Sequence, residues 1–240
     1  MAFKAFLTSM ALASALALAP AVAGAFTVTY QNSGGVFGGN AYAPVTINST
    51  AGPDVGPLAV HAGGFALKGN LFGNGVENFT AFCLDIATTI KNGYNYEVTA
   101  KPFTSDPLTG TQIINIGRLF NTAYGIPGLL TSAAKSAGFQ LALWEIIYET
   151  DANFVLGSGN FSATNYNGLS VTAIMDGQGF LNNLGGTTVG KGWNLTFLQA
   201  TPHNSQHLVT ATPVPLPAAG LLLLAALCGL GLARRRRPAA

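Results

Sequence analysis

Charge is what this chain has least of. Only 8% of its 240 residues are charged and 49% are hydrophobic, whereas about a quarter of an ordinary soluble domain is charged, so the composition points outside the cytoplasm. Basic residues are especially scarce in the middle. Between Phe26 and Thr212 five lysines and one arginine face nine carboxylates, a balance of −3, and the formal net charge of +2 arises from Lys4 and the arginines near the C-terminus. With no basic patch, a nucleic-acid partner is excluded. No Gly-x-Ser-x-Gly, Walker loop, dinucleotide fingerprint or calcium loop occurs, so no cofactor is called for and an enzyme is not expected. His203 and His207 are four apart but lie in a polar stretch without a third ligand. They read as a solvated linker rather than a metal site.

The long apolar runs are confined to the two ends. Residues 1–25 have a basic start at Lys4, an apolar run from Phe6 to Leu18 and small-residue sites around Ala21 to Ala25, the pattern of a secretory signal peptide. The run is shorter than the ~20 residues that span a bilayer. Export is therefore expected, with residues 26–212 as the exported domain and 213–240 as a separate C-terminal segment.

Within the exported domain the first half alternates apolar and polar residues, as in Phe26 to Tyr30, Ala43 to Ile47, Leu58 to His61 and Gly64 to Lys68, which predicts β-strands. Phe79 to Ile90 followed by Tyr94 to Val98 predicts a hairpin through Lys91-Asn92-Gly93. After Pro107 the period becomes helical: Ile113, Ile116, Gly117, Phe120 and Tyr124 recur at helical spacing up to Gly125, a residue suited to a helix C-terminus. A second helix is predicted from Thr131 to Tyr148 and a third from Ser170 to Leu184, with strands returning at Asn194 to Ala200 and His207 to Thr212. The expected fold is α+β: a β-sandwich or partial barrel with a packed helical insertion.

The C-terminal segment has three parts in order. Val214, Pro215, Leu216, Pro217 and Ala218 precede an apolar run to Ala233, and Arg234, Arg235, Arg236 and Arg237 follow. This resembles a VPLPA-type member of the PEP-CTERM sorting signals of Gram-negative bacteria, which implies processing by an exosortase at the membrane. The helix from Ala218 to Ala233 would be about 24 Å long, short against a ~30 Å hydrocarbon core. The arginines fix its end inside.

The helix from Thr131 to Tyr148 holds the main anomaly. Phe139, Leu141, Leu143, Trp144, Ile146, Ile147 and Tyr148 fill a broad apolar arc, with Glu145 and Glu149 opposite as an expected solvated face. Gln140 falls inside the apolar arc, where an unpartnered carboxamide costs about 1–3 kcal/mol. It needs a partner. Cys83, in the run Phe82-Cys83-Leu84, has no disulfide mate, since Cys228 belongs to the membrane segment. Three readings stay open for it: a small buried hydrophobe, an intermolecular disulfide, or a bond to Gln140.

Phe82-Cys83-Leu84 together with Gln140-Leu141-Ala142-Leu143-Trp144 resembles the motif pair of bacterial surface thioester domains, with Phe139 standing where that family has Ser or Thr and Leu143 where it has Ile. The resemblance implies a thioester between Cys83 and Gln140, walled by Phe82, Phe139, Trp144 and Tyr148 and open to attack by a surface amine. It also implies a cell-surface or extracellular, adhesin-like role. The sorting-signal resemblance by itself implies instead a structural protein of extracellular polysaccharide or biofilm, with Cys83 merely packed.

Overall fold

A computed structural model describes residues 24–38, 41–103, 106–151, 153–186 and 192–214. The signal segment through Ala23 and the tail from Pro215 onward, including four of the five motif residues and all four terminal arginines, lie outside these described residues. Among the described residues no helix is long and apolar enough to cross a membrane.

The described residues form nine strands: β1 (Phe26–Tyr30), β2 (Tyr42–Ser49), β3 (Val55–Gly63), β4 (Phe65–Gly69), β5 (Glu77–Cys83), β6 (Tyr94–Thr99), β7 (Phe161–Thr164), β8 (Trp193–Ala200) and β9 (Leu208–Pro213). Three helices, α1 (Gly110–Leu119), α2 (Ala133–Tyr148) and α3 (Gly168–Asn182), lie between β6 and β8, with β7 preceding α3. Six strands close an antiparallel barrel in the order β1-β4-β5-β9-β8-β6, and the other three form a sheet in the order β3-β2-β7. Alternation selects the faces: in β2, Ala43, Val45 and Ile47 are buried while the residues between them are less so, as a strand with one packed face requires.

Helix α2 joins the two sheets. It packs against β2 and β3 on one side and α3 on another. An aromatic cluster ties it to the barrel: Phe139 lies 4.5 Å from Phe82 of β5 and 5.0 Å from Phe120, ring centre to ring centre, and Tyr124 bridges to Trp193 at 4.7 Å. Phe82, Phe120 and Phe139 are fully buried, and removing such rings from water stabilises the fold by about 1.5–3 kcal/mol each.

At the α2–α3 crossing the backbones touch. A Cβ placed on Gly138 would stand 2.6 Å from the carbonyl oxygen of Ala173, and one on Gly177 would stand 2.7 Å from that of Gly138. In an open helix Gly→Ala would gain about 1 kcal/mol from propensity. Here the helices must separate, so Gly138→Ala is expected to destabilise by about 1–3 kcal/mol net, read as an earlier midpoint in urea denaturation. An unchanged or later midpoint would contradict this packing.

The observed fold corrects several expectations. The barrel is closed rather than partial, and the remaining strands form a separate three-stranded sheet. The hairpin across Lys91-Asn92-Gly93 is absent: β5 pairs with β4 and β9, and β6 with β1 and β8. Gly93 does take the turn conformation, at φ 70°, but barrel closure gives the two strands different neighbours. The first helix stops at Leu119 and a π-helical turn, Phe120–Tyr124, carries the chain to Gly125. The helix around Gln140 begins at Ala133 behind an Ser132 N-cap, and the third occupies Gly168–Asn182 behind an Asn167 capping box. Strand β7 has no counterpart in the sequence reading.

Glu145 and Glu149 are buried, 0% and 8% exposed. The segment after α2 folds back over them. Glu145 accepts a 2.7 Å bond from the Val155 amide, and Glu149 accepts from the amides of Thr150, Asp151 and Asn160. A helix apolar on nearly all sides is one enclosed by its protein, and its carboxylates anchor the covering loop instead of facing water. His207 is likewise buried, at 5% exposure, not part of a solvated linker.

Candidate functional site

The site forms where β4 ends beside β5. Ala81 is paired across to Phe65, the first residue of β4, so at Cys83, two positions further on, that side of the ladder has no strand. The Gln140 side chain fills the place. Cys83 N–H donates to Gln140 Oε1 and Gln140 Nε2 donates to the Cys83 carbonyl oxygen, both at 2.8 Å. One helical turn earlier Ser136 does similar work, its hydroxyl accepting from the Gly64 amide at 2.8 Å. The two residues form a polar stripe on an otherwise apolar helix, and it caps the main chain where β4 and β5 part.

Gln140 therefore has its partner, but through the main chain of Cys83 rather than its sulfur. This corrects the physical warrant for a covalent bond. The carboxamide is already satisfied, so burial alone does not demand loss of its nitrogen. Loss of that nitrogen would leave the Cys83 carbonyl without its donor.

The same docking brings the reacting groups together. Cys83 carries the sulfur on the residue whose main chain holds the carboxamide. The Cys83 N–H lies on the oxygen where negative charge would develop if sulfur attacked the carboxamide carbon, an oxyanion-type arrangement. Cys83 Sγ donates to the Asp85 carbonyl oxygen at 2.6 Å. The thiol is fully buried, and burial pushes its pKa well above the ordinary value. The Asp85 charge adds to this, while the Asp85 main-chain bond and the Trp144 indole oppose it. The Trp144 N–H is buried without a full hydrogen bond of its own. Such a thiol stays protonated until a base takes its proton.

Of the four expected wall residues, Trp144 lies by the sulfur, and the Tyr148 hydroxyl donates to the Leu84 carbonyl at 2.9 Å, its own pKa raised by burial and then by Asp85 and Cys83. Phe82 and Phe139 are stacked in the aromatic cluster, with Phe82 on the opposite side of β5 from the Cys83 side chain by strand alternation. They close the layer behind the site.

Asp85 and Tyr148 also line a cleft of about 760 Å³, bounded by Ala51 to Pro53, Phe103, the start of α1 and the end of α2. Its floor includes Ile146, Ile147 and Phe154. Asp85, Asp106, Glu149 and Asp151 contribute acidic walls, and its described lining has no basic side chain. Gln112 ties α1 to the end of α2 there, its Nε2 donating to the Ile147 carbonyl at 2.7 Å. The sequence reading missed this cleft, Ser136 and Asp85, and it took His207 for part of a solvated linker. Only Ser136 had a signal, a second polar residue one helical turn from Gln140.

Among the described residues no cluster of three or more His, Cys, Asp or Glu is arranged to hold a metal ion. No protein-family model and no curated protein sequence matches the chain. Solved structures do show similarity. The N-terminal domain of the Streptococcus pyogenes pilus tip adhesin Cpa is 19% identical, with 72% of this chain and 94% of that one covered at a TM-score of 0.41. The N-terminal thioester domain of the fibronectin-binding protein SfbI from Streptococcus pyogenes is 16% identical over the same shares, at 0.43. The N-terminal thioester domain of a surface protein from Clostridium perfringens is 14% identical, covering 72% of this chain and all of that one, at 0.40.

Proposed function

We propose that this is an exported cell-surface protein whose domain attaches covalently to a partner through a thioester between Cys83 and Gln140. The observation that supports it most is the reciprocal pair of 2.8 Å bonds between the Gln140 carboxamide and the Cys83 main chain, deep in the core. In forming the bond, the Cys83 sulfur attacks the Gln140 carboxamide carbon, the C–N bond breaks and ammonia leaves. An amine then attacks the same carbon, giving an amide at Gln140 and a free thiol at Cys83. The reading keeps the signal peptide at residues 1–25, and it keeps exosortase processing of the 213–240 segment, which holds the protein at the membrane until then. It assigns the protein no turnover of its own.

Intact mass of the secreted protein tests this. The mature domain is expected to weigh one ammonia less than its sequence, Cys83→Ala to restore the full mass, and methylamine to add to the wild type while exposing one thiol. A wild-type mass equal to the unmodified sequence would refute the thioester. One observation favours the other reading, a non-covalent structural protein of an extracellular matrix: with Sγ bonded to the Asp85 carbonyl and the carboxamide fully paired, a free Cys83 is already at home.

A further inference from the structure

The ladders of the barrel are uneven in length. Strand β5 is paired with β9 through Ala81, Phe82 and Cys83 alone, opposite Thr210, Val209 and Leu208. Each strand runs on past that ladder with its other neighbour, β5 back to Glu77 beside β4 and β9 forward to Pro213 beside β8. At the end of β5 away from Cys83 the two strands therefore share no rungs, and a groove of about 320 Å³ lies over them. That volume is at the lower end of small-ligand sites.

Its walls join aromatic rings to neutral polar groups. Tyr124 and Trp193 meet edge to face, 4.7 Å between ring centres at 83°, and make one corner. Phe72, 45% exposed, belongs to the same lining. Asn78 and Thr212 add an amide and a hydroxyl, and the described lining has no basic side chain. Glu77 brings the one charge. Its Oε1 is buried without a hydrogen-bond partner, which is costly unless something donates to it. A ligand that fits must donate to a carboxylate, exchange hydrogen bonds with an amide and a hydroxyl, and offer an apolar face to aromatic rings. A pyranose does all three, since its hydroxyls both donate and accept while its C–H bonds make one side of the ring apolar. A quaternary ammonium ion could sit over the same rings, but it has no hydrogen to donate to Glu77 and nothing to exchange with Asn78 or Thr212.

We propose that this groove is a carbohydrate site that takes one or two neutral pyranose units of a glycan, with Glu77 accepting from their hydroxyls and Trp193, Tyr124 and Phe72 forming the stacking surface. The contact is non-covalent. It lies at the other end of β5 from Cys83 and does not depend on the thioester.

The test uses the secreted protein and its own fluorescence. Of the two tryptophans, Trp144 is enclosed at 3% exposure and Trp193 lines the groove, so a ligand there changes the emission of Trp193. Maltotriose, cellotriose, tri-N-acetylchitotriose and lactose are the probes, and at least one is expected to bind with a Kd of about 1 mM, as suits so small a contact. Glu77→Gln and Phe72→Ala are each expected to weaken that binding about tenfold, while Cys83→Ala binds as the wild type does. No fluorescence change with any probe at tenfold that concentration overturns the proposal, and so does a response to choline but to no sugar. Wild-type affinity in either groove variant, or loss of binding in Cys83→Ala, also overturns it. Should Glu77→Gln misfold, Phe72→Ala, which alters an exposed side chain, decides alone.

Discussion

Gln140→Leu is expected to destabilise the domain by about 2–6 kcal/mol, more than most core substitutions of similar volume. Leucine fills much the same space and is less costly to bury, so hydrophobicity alone predicts little loss. The effect comes from what it strands. The Cys83 N–H and C=O each lose their 2.8 Å partner at a place where β4 has ended, and each buried orphan costs about 1–3 kcal/mol. Cys83→Ala, which keeps both main-chain bonds, should cost distinctly less. Urea denaturation of the two variants at one pH measures the contrast. A Gln140→Leu midpoint equal to that of Cys83→Ala would mean that the carboxamide does not serve as a surrogate strand.

The wild type is also expected to lose stability as pH rises from about 5 to about 8, the opposite of a domain held by paired carboxylates. Burial lifts the Glu145 carboxyl to about 8, against one opposing bond from the Val155 amide and a further small push from the Glu149 charge. A folded-state pKa above the unfolded one means that the folded protein binds the proton more tightly. The stabilising contribution is whole below the unfolded value near 4.5 and disappears as pH climbs through the folded value near 8. At about 1.4 kcal/mol per unit the loss reaches roughly 4 kcal/mol as an upper bound. Glu149 works in the other direction: burial raises its pKa, but the amides of Asp151, Thr150, Asn160 and Phe161 together outweigh it and hold the carboxyl below its ordinary value. Its contribution is present above about 4.5 and fades in stronger acid. Stability is therefore expected to peak near pH 5, and Glu145→Gln, which keeps the Val155 bond, should flatten the alkaline side. A wild-type profile level from pH 5 to 8 would contradict the burial of Glu145.

Much of this was legible in residues taken one at a time. Alternation located β1, β2 and β4, and helical spacing located α2 and α3, because burial of one face leaves a period in the sequence. Gln140 stood out because a polar group in an apolar arc must be explained. What it binds was hidden, since a main-chain N–H and C=O have no signature in any side chain. The misreading of Glu145 and Glu149 has a related cause. Periodicity assigns carboxylates to solvent by default, and nothing local announces that the chain from Thr150 to Asn160 returns to cover them. Gly159 hints at it only afterwards: a Cβ there would collide with the Glu149 carboxylate. The β5–β6 hairpin failed for a global reason, because strand partners in a closed barrel are chosen by closure and not by the nearest turn. Asp85 went unremarked because its contact with His207 joins residues 122 positions apart.

Strand β9 would have a mechanical consequence if the protein were held at both the proposed site and the tail. Its first residue, Leu208, lies opposite Cys83, and its last, Pro213, lies opposite Trp193, one residue before the chain reaches the motif at Val214. A tether pulling from the tail would draw β9 lengthwise, away from the end where a partner would be bonded. Ladder bonds run across the strands, so such a load is borne in shear by the rungs to β5 and β8 together instead of peeling them one after another. The reactive end and the anchored end are then separated by the length of β9, about 17 Å at 3.4 Å per residue. Tension applied to the tail would cross that whole strand before reaching the core around Gln140.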